Sequence, residues 1–232
     1  MEQALKITSV LADPTRYYIY QYISEKHNQV TVQEIADKFS IHPNVARLHL
    51  TKLEDVNMLI SETQKTGKGG RPGRLYRLSD DVIQLQFPFR DYKLLSQIAL
   101  DALLRLGSIG EQALLETGKQ FGRDLMMRHV KRLGISAEEI SKQDKVNIAK
   151  EALTTAGLSP QFELSKDETK VFYQVYNCPF KEMLTEHPQV ICNMHNAMMQ
   201  SIFQVLFSTV ELIRTESMLT DCNSCNYKAH IS

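Results

Sequence analysis

Four cysteines are the residues best suited to chemistry in this chain of 232, and Cys178, Cys192, Cys222 and Cys225 all lie in its last quarter. Cys222-x2-Cys225 is the tightest pair. The turn inside a C-x2-C unit points both sulfurs inward, so two thiolates can grip one metal ion or one edge of a cluster. Cys178 and Cys192 then supply the remaining donors. Four thiolates suit tetrahedral zinc or an iron–sulfur cluster, and spacing alone does not choose between them. His195 stands three residues after Cys192, on the same helix face, and is an alternative ligand that would favour zinc. A disulfide framework belongs to small secreted domains rather than to a chain of this size and composition. The same half shows no nucleotide-binding loop, no Ser/His/Asp arrangement and no paired carboxylates, so an enzyme is not expected.

The elements that must hold these side chains follow from periodicity. Gln161–Ser165 and Lys170–Asn177 alternate apolar and polar residues around a Lys166-Asp167-Glu168 turn, and the second strand runs into Cys178-Pro179. Pro188–Phe207 has helical period and carries Cys192 in its first turns. Thr209–Leu219 is expected to be extended, Asp221–Cys225 a loop, and Asn226–Ile231 a closing strand. Upstream, three helices are expected over Tyr92–Leu106, Ile109–Val130 and Ala137–Ala156. On the middle one, Leu114, Gly118, Phe121, Gly122 and Leu125 share a face whose glycines permit close helix approach. That face suits a dimer interface or packing within the domain.

The first ninety residues are organised differently. Ala4–Ile23 reads as helix interrupted at Asp13-Pro14-Thr15, where Asp13 can cap and Pro14 suits a first turn. Thr31–Phe39 is a short helix with Thr31 and Glu34 as a capping box. Ser40-Ile41-His42 is a tight turn, and Pro43–Met58 is a second helix. Its Ala46, Leu50 and Leu53 recur at inward spacing. His42, Asn44, Arg47, Leu48 and Thr51 fall on the opposite side, where a recognition helix meets base edges. Ile60–Thr63 and Leu75–Leu78 are strand arms around a Lys/Gly/Arg-rich tip, Lys65–Arg74, which makes the whole a winged helix. Lys65, Lys68, Arg71 and Arg74 suit phosphate and minor-groove contact.

The charge is split in the same way. The chain carries 27 Lys+Arg and 27 Asp+Glu, a net of zero, which excludes an indiscriminate polyanion binder. Residues 1–79 hold 11 basic and 8 acidic groups, a net of +3, and residues 80–232 hold 16 and 19, a net of −3. No apolar run approaches the roughly 18 residues of a membrane span. The opening MEQALKITSV has no secretory pattern, so cytoplasmic localisation is expected.

Several of these segments resemble known regulators. Leu11-Ala12-Asp13-Pro14-Thr15-Arg16 before an apolar helix is similar to the opening of arsenical-resistance-type winged-helix regulators. His42–Leu50 (HPNVARLHL) with Gly70–Leu78 (GRPGRLYRL) as wing resembles bacterial repressors of the iron–sulfur cluster assembly operon. Cys178-Pro179-Phe180, then His187–Cys192 (HPQVIC) with His195 behind it, then Cys225 before a terminal strand, is similar to the sensor domain of those repressors, which is related to the vinyl-reductase fold. The resemblance covers the wing and the last 55 residues and implies that Cys178, Cys192 and Cys225 hold the cluster. Cys222 departs from that pattern. The resemblance also implies that the cluster-loaded form represses and the cluster-free form releases DNA.

The expectation is therefore an α+β protein: a winged-helix domain over 1–79, a linker over 80–91 (DDVIQLQFPFRD, with Pro88 breaking any period), and a helical and cysteine-bearing sensor domain over 92–232. It is expected to act as a homodimeric, DNA-binding transcription repressor controlled by an iron–sulfur cluster. A zinc- or thiol-redox-responsive regulator is the alternative, and a tetrapyrrole-related enzyme or accessory protein a minor one. Dimerisation is expected because one recognition helix buries too little surface for tight specific binding.

Overall fold

A computed structural model describes residues 2–64, 73–136, 140–184, 186–220 and 224–231. The chain is mixed α and β and divides into two compact units, Met1–Arg90 and Asp91–Ser232. Among the described residues, no helix is long and apolar enough to cross a membrane.

The first unit has helices α1 (Glu2–Leu11), α2 (Pro14–Lys26), α3 (Val32–Phe39) and α4 (Pro43–Glu54) and strands β1 (Val30–Thr31), β2 (Leu59–Gln64) and β3 (Gly73–Leu78). Its sheet has the order β1-β3-β2, all antiparallel, with Val30 opposite Tyr76 and Ser61 opposite Tyr76 on the other side. The two-residue β1 is too short for any alternation to reveal it in sequence. The Asp13 carboxylate caps α2 by accepting from the Arg16 amide at 3.0 Å, and Arg16 Nη1 donates to the Val10 carbonyl at 2.8 Å. The Asp-Pro-Thr-Arg segment thus ties α1 to α2. It also reaches α4, because the buried His49 places Nδ1 4.0 Å from Asp13. Thr31 caps α3 as expected, accepting from the Glu34 amide at 3.1 Å. Ser40, in the left-handed region at φ 52°, turns the chain sharply between α3 and α4. Ile19, Ile23, Ile35, Ala46, Leu50, Leu53 and Tyr76 form the core. The helix expected to run to Met58 stops at Glu54, since Val56 and Met58 are needed in that core and Asn57 turns the chain with φ 59°.

The second unit contains α5 (Tyr92–Leu104), α6 (Ser108–Leu133), α7 (Lys142–Thr155) and α8 (Pro188–Leu206) with strands β4 (Pro160–Leu164), β5 (Lys170–Val175), β6 (Val210–Glu216) and β7 (Cys225–Ile231). The antiparallel sheet has the order β4-β5-β7-β6. One face meets α7 and α8 through Val171, Tyr173, Tyr227, Ala229, Met199, Ile202 and Phe203. Tyr173 stacks on Tyr227 at 4.6 Å between centroids and on Phe203 at 5.2 Å, which joins sheet to helix. The glycines of α6 serve this unit's own packing: a Cβ on Gly118 would lie 2.9 Å from Met194 of α8, and one on Gly122 only 2.2 Å from the Met198 carbonyl oxygen. Phe121 is not part of that contact and is exposed. The extended segment expected over Thr209–Leu219 ends at Glu216, with a short 3-10 turn over Met218–Thr220.

Candidate functional site

The DNA-facing candidates divide by what else they do. Asn44, Arg47 and Leu48 are exposed on α4, and Thr51 is half-buried on the same helix. His42 is also exposed; its Nδ1 accepts from the Asn44 amide at 3.2 Å and caps the helix, which leaves Nε2 as the ring's outward donor. Arg74 on β3 pairs with Glu54 at the end of α4 at 3.4 Å, and Ser61 donates to the other oxygen of that carboxylate at 2.6 Å. This contact joins β3 to the end of α4 and offsets part of the Arg74 charge. Lys65, Lys68 and Arg71 lie outside the described residues, as does Cys222.

The other three cysteines are brought together from separate pieces of chain. Cys178 follows β5 by three residues, and its carbonyl accepts from the Lys181 amide at 3.0 Å in the turn that precedes α8. Cys192 and His195 sit one turn apart on the buried side of α8, whose first turn is set by Pro188. Cys225 opens β7 directly opposite Val175, the last residue of β5, so the sheet register lays it beside the strand end that leads to Cys178. Cys178 and Cys192 are buried and Cys225 is half-buried. The Cys178 Sγ is 3.8 Å from His195 Nδ1, the Phe180 ring stands edge-on to His195 at 5.2 Å, and Cys225 Sγ accepts from the Met218 amide at 3.4 Å.

Electrostatics mark these groups as neighbours. Burial pushes the Cys178 thiol up to about 11, the Phe180 amide opposes this, and the Cys225 and Cys192 sulfurs raise it further. Burial holds His195 down at about 4, with Arg214 adding to the effect, so its imidazole is neutral at ordinary pH. Tyr227 is raised, first by burial and then by Cys225, while Arg214 lowers it, and its hydroxyl donates to Asn196 at 3.1 Å. Two buried polar atoms here have no hydrogen-bond partner, His195 Nε2 and the Tyr173 hydroxyl. Three soft sulfur donors, a neutral imidazole with an orphaned nitrogen and one nearby guanidinium fit a thiolate-bound metal group. Arg214 and Tyr227 escaped the sequence reading. Strand alternation could have found Tyr227, two residues after Cys225 on the same face; Arg214 became visible only through its register opposite Tyr227.

The donors are close without converging. A tetrahedral zinc ion at about 2.3 Å from each sulfur needs donor atoms about 3.8 Å apart. No three donors among Cys178, Cys192, His195 and Cys225 lie within 4.8 Å of one another; among the described residues only Asp101, Glu186 and His187 do. That trio lies elsewhere, on α5 and the turn before α8, where His187 Nε2 is 3.3 Å from Asp101 at a cleft of about 200 Å³.

The buried imidazole has a pH consequence. Between about 4 and 6.5 the unfolded chain binds a proton at residue 195 that the folded metal-free chain refuses, so folding stability falls as pH drops through that window. The loss is expected to approach about 3 kcal/mol by the lower end. Urea unfolding at pH 7 and pH 5 should show it, and His195→Gln should flatten the slope.

Two family profiles match the chain. One, described as a helix-turn-helix domain, matches residues 11–62, and the other, Methanogen output domain 1, matches residues 112–230. No curated protein matches. Among solved structures, a trafficking protein particle complex subunit 3 from Naegleria fowleri, covalently bound to palmitic acid, aligns at 18% identity and TM-score 0.42 over 60% of this chain and 89% of that one. An H-NOX protein from S. oneidensis in the Fe(II)NO ligation state aligns at 9% identity and TM-score 0.42, over 67% and 83%. The helix-turn-helix match points to a DNA-binding transcription regulator, and since the second profile spans a little over half of its residues, the chain belongs to the Methanogen output domain 1 family.

Proposed function

We propose that this protein is a homodimeric, cytoplasmic winged-helix repressor whose second unit holds an iron–sulfur cluster and couples cluster status to operator binding. The observation that carries the reading is that Cys178, Cys192 and Cys225, from three separate chain segments, are electrostatic neighbours, with Cys178 3.8 Å from a neutral buried His195. Cys178, Cys192 and Cys225 would hold the cluster, with Cys222 or His195 as the fourth donor. Donors that are neighbours yet not within a single ion's shell suit a group that offers several metal atoms. Bound, the cluster supplies oxygen- and iron-dependent lability. The chain's own residues do the rest: Phe180 and Tyr227 shield the site, Arg214, which acts on His195 and Tyr227, would offset thiolate charge, and the sheet register holds Cys225 beside the strand end that leads to Cys178.

Removing the staple frees three segments from one another, which is how a cofactor contributes folding energy. DNA affinity then changes because the loaded and empty proteins differ in how they space two recognition helices. Zinc is the second reading, favoured by one observation: the 3.8 Å between Cys178 Sγ and His195 Nδ1 is close to the roughly 3.6 Å that a sulfur and a nitrogen donor keep on a tetrahedral zinc ion.

An operator recovered by in vitro selection should bind cluster-loaded protein at least tenfold more tightly than the cluster-free form. Arg47→Ala should weaken the loaded form by about 1–3 kcal/mol, roughly five- to 150-fold, and relax sequence preference. Equal affinity of loaded and cluster-free protein would remove the coupling.

A further inference from the structure

Helix α5 is amphipathic the wrong way round for a monomer. At 100° per residue, Tyr92, Leu94, Leu95, Ile98, Ala99 and Ala102 share one half of the helix, and all six are exposed. The four large ones are 51–63% accessible. The opposite half turns polar groups toward the rest of its own unit. Lys93 and Gln97 line the cleft with Glu182, Glu186 and His187, and Ser96 approaches Met183. Only Leu100 of this helix is buried. Within Tyr92–Leu104 the outward half carries no charged residue; Arg105, the exposed C-cap, falls on the same side at its end, and Leu106 and Ile109 just beyond the helix are 60% and 74% exposed. Proteins that stay single rarely leave such a face open.

We infer that this face of α5 is an isologous interface that joins two copies of the chain. Tyr92, Leu94, Leu95, Ile98, Leu106 and Ile109 each expose roughly 100 Å², so the patch is roughly 600 Å² of apolar side chain, most of the about 800 Å² that each partner buries in a standard interface. A self-complementary patch whose one charge, Arg105, stands at its end suits a two-fold axis, because an antiparallel crossing at Leu95 and Ile98 keeps the two Arg105 side chains apart. The inference rests on the homodimer proposed above and names its surface. It moves that surface away from the glycine face of α6, which α8 occupies.

Sedimentation equilibrium on the full chain, with and without Leu95→Glu and Ile98→Glu, tests it. The unsubstituted chain is expected to be dimeric at micromolar concentration, and each substitution to weaken association at least a hundredfold. Circular dichroism should stay unchanged in the monomeric variants, since both side chains point outward, and their thermal unfolding should lose the concentration dependence that the dimer shows. Gln112→Glu, on an exposed part of α6, should remain dimeric. As a second reading of the same face, Ile98→Cys should form a disulfide-linked dimer under mild oxidation. A dimer that ignores both glutamates and does not cross-link overturns this interface and leaves the homodimer standing. A chain that is monomeric throughout overturns both. Loss of the folded circular dichroism signature in Ile98→Glu would assign the face to contact within one chain and overturns the interface as well.

Discussion

Gly122→Ala is expected to destabilise the second unit by about 2–3 kcal/mol, although alanine is the better helix former by about 1 kcal/mol. The added methyl carbon would stand 2.2 Å from the Met198 carbonyl oxygen and 2.9 Å from its carbon. Those are backbone atoms of α8 and cannot step aside as a side chain can. Either α6 separates from α8 or the last turns of α8 move against the sheet, and Phe203 and Tyr173 lose their stacking. Gly118→Ala should cost less, because half of its obstruction is the flexible Met194 side chain. The protein has no tryptophan, so far-ultraviolet circular dichroism in a urea series is the suitable probe. A loss below about 1 kcal/mol for Gly122→Ala would contradict the close approach of the two helices.

Cys192→Ser carries the second large effect. Serine keeps the size of the side chain and removes a soft anionic donor, since its hydroxyl does not ionise as a thiol does. Cys192 is buried on α8 one turn before His195, so no solvent-exposed group can take its place. Bound iron is expected to fall at least tenfold, together with the visible absorbance. The winged-helix unit, which folds around its own core, should keep its circular dichroism signature. Cys178→Ser should behave in the same way. Cys222→Ser and His195→Ala identify the fourth donor, because only one of them should strip the cluster. Retention of full iron content by Cys192→Ser would remove that residue from the ligand set.

The parts of the fold that were legible in the sequence are those with local causes. Asp13, Thr31 and Pro43 are capping or first-turn residues whose effect is confined to one helix end, and each helix begins where they indicate. Alternation of Val171, Tyr173 and Val175 announced β5, because one face of that strand is buried and the other is not. What escaped depends on partners distant in the chain. Strand β1 exists only because Val30 meets Tyr76, and no two-residue segment carries a period. The glycines on α6 declared a close approach but not its partner, which is α8, about 75 residues away.

The candidate site divides along the same line. Cysteine and histidine announce metal chemistry by type alone, so Cys178, Cys192, His195 and Cys225 were visible. The inclusion of Arg214 and Tyr227 depends on sheet register between β6 and β7. His42 adds a role that its spacing does not announce: exposed at the head of α4, it caps that helix through Nδ1, which accepts from the Asn44 amide.

Purification without oxygen, followed by visible absorbance with iron, sulfide and zinc analysis on the same sample, tests the central claim most directly. A brown protein with a sulfur-to-iron charge-transfer band, iron and acid-labile sulfide in matching amounts, and loss of all three on exposure to air is the expected result. A colourless protein holding one zinc per chain would contradict it.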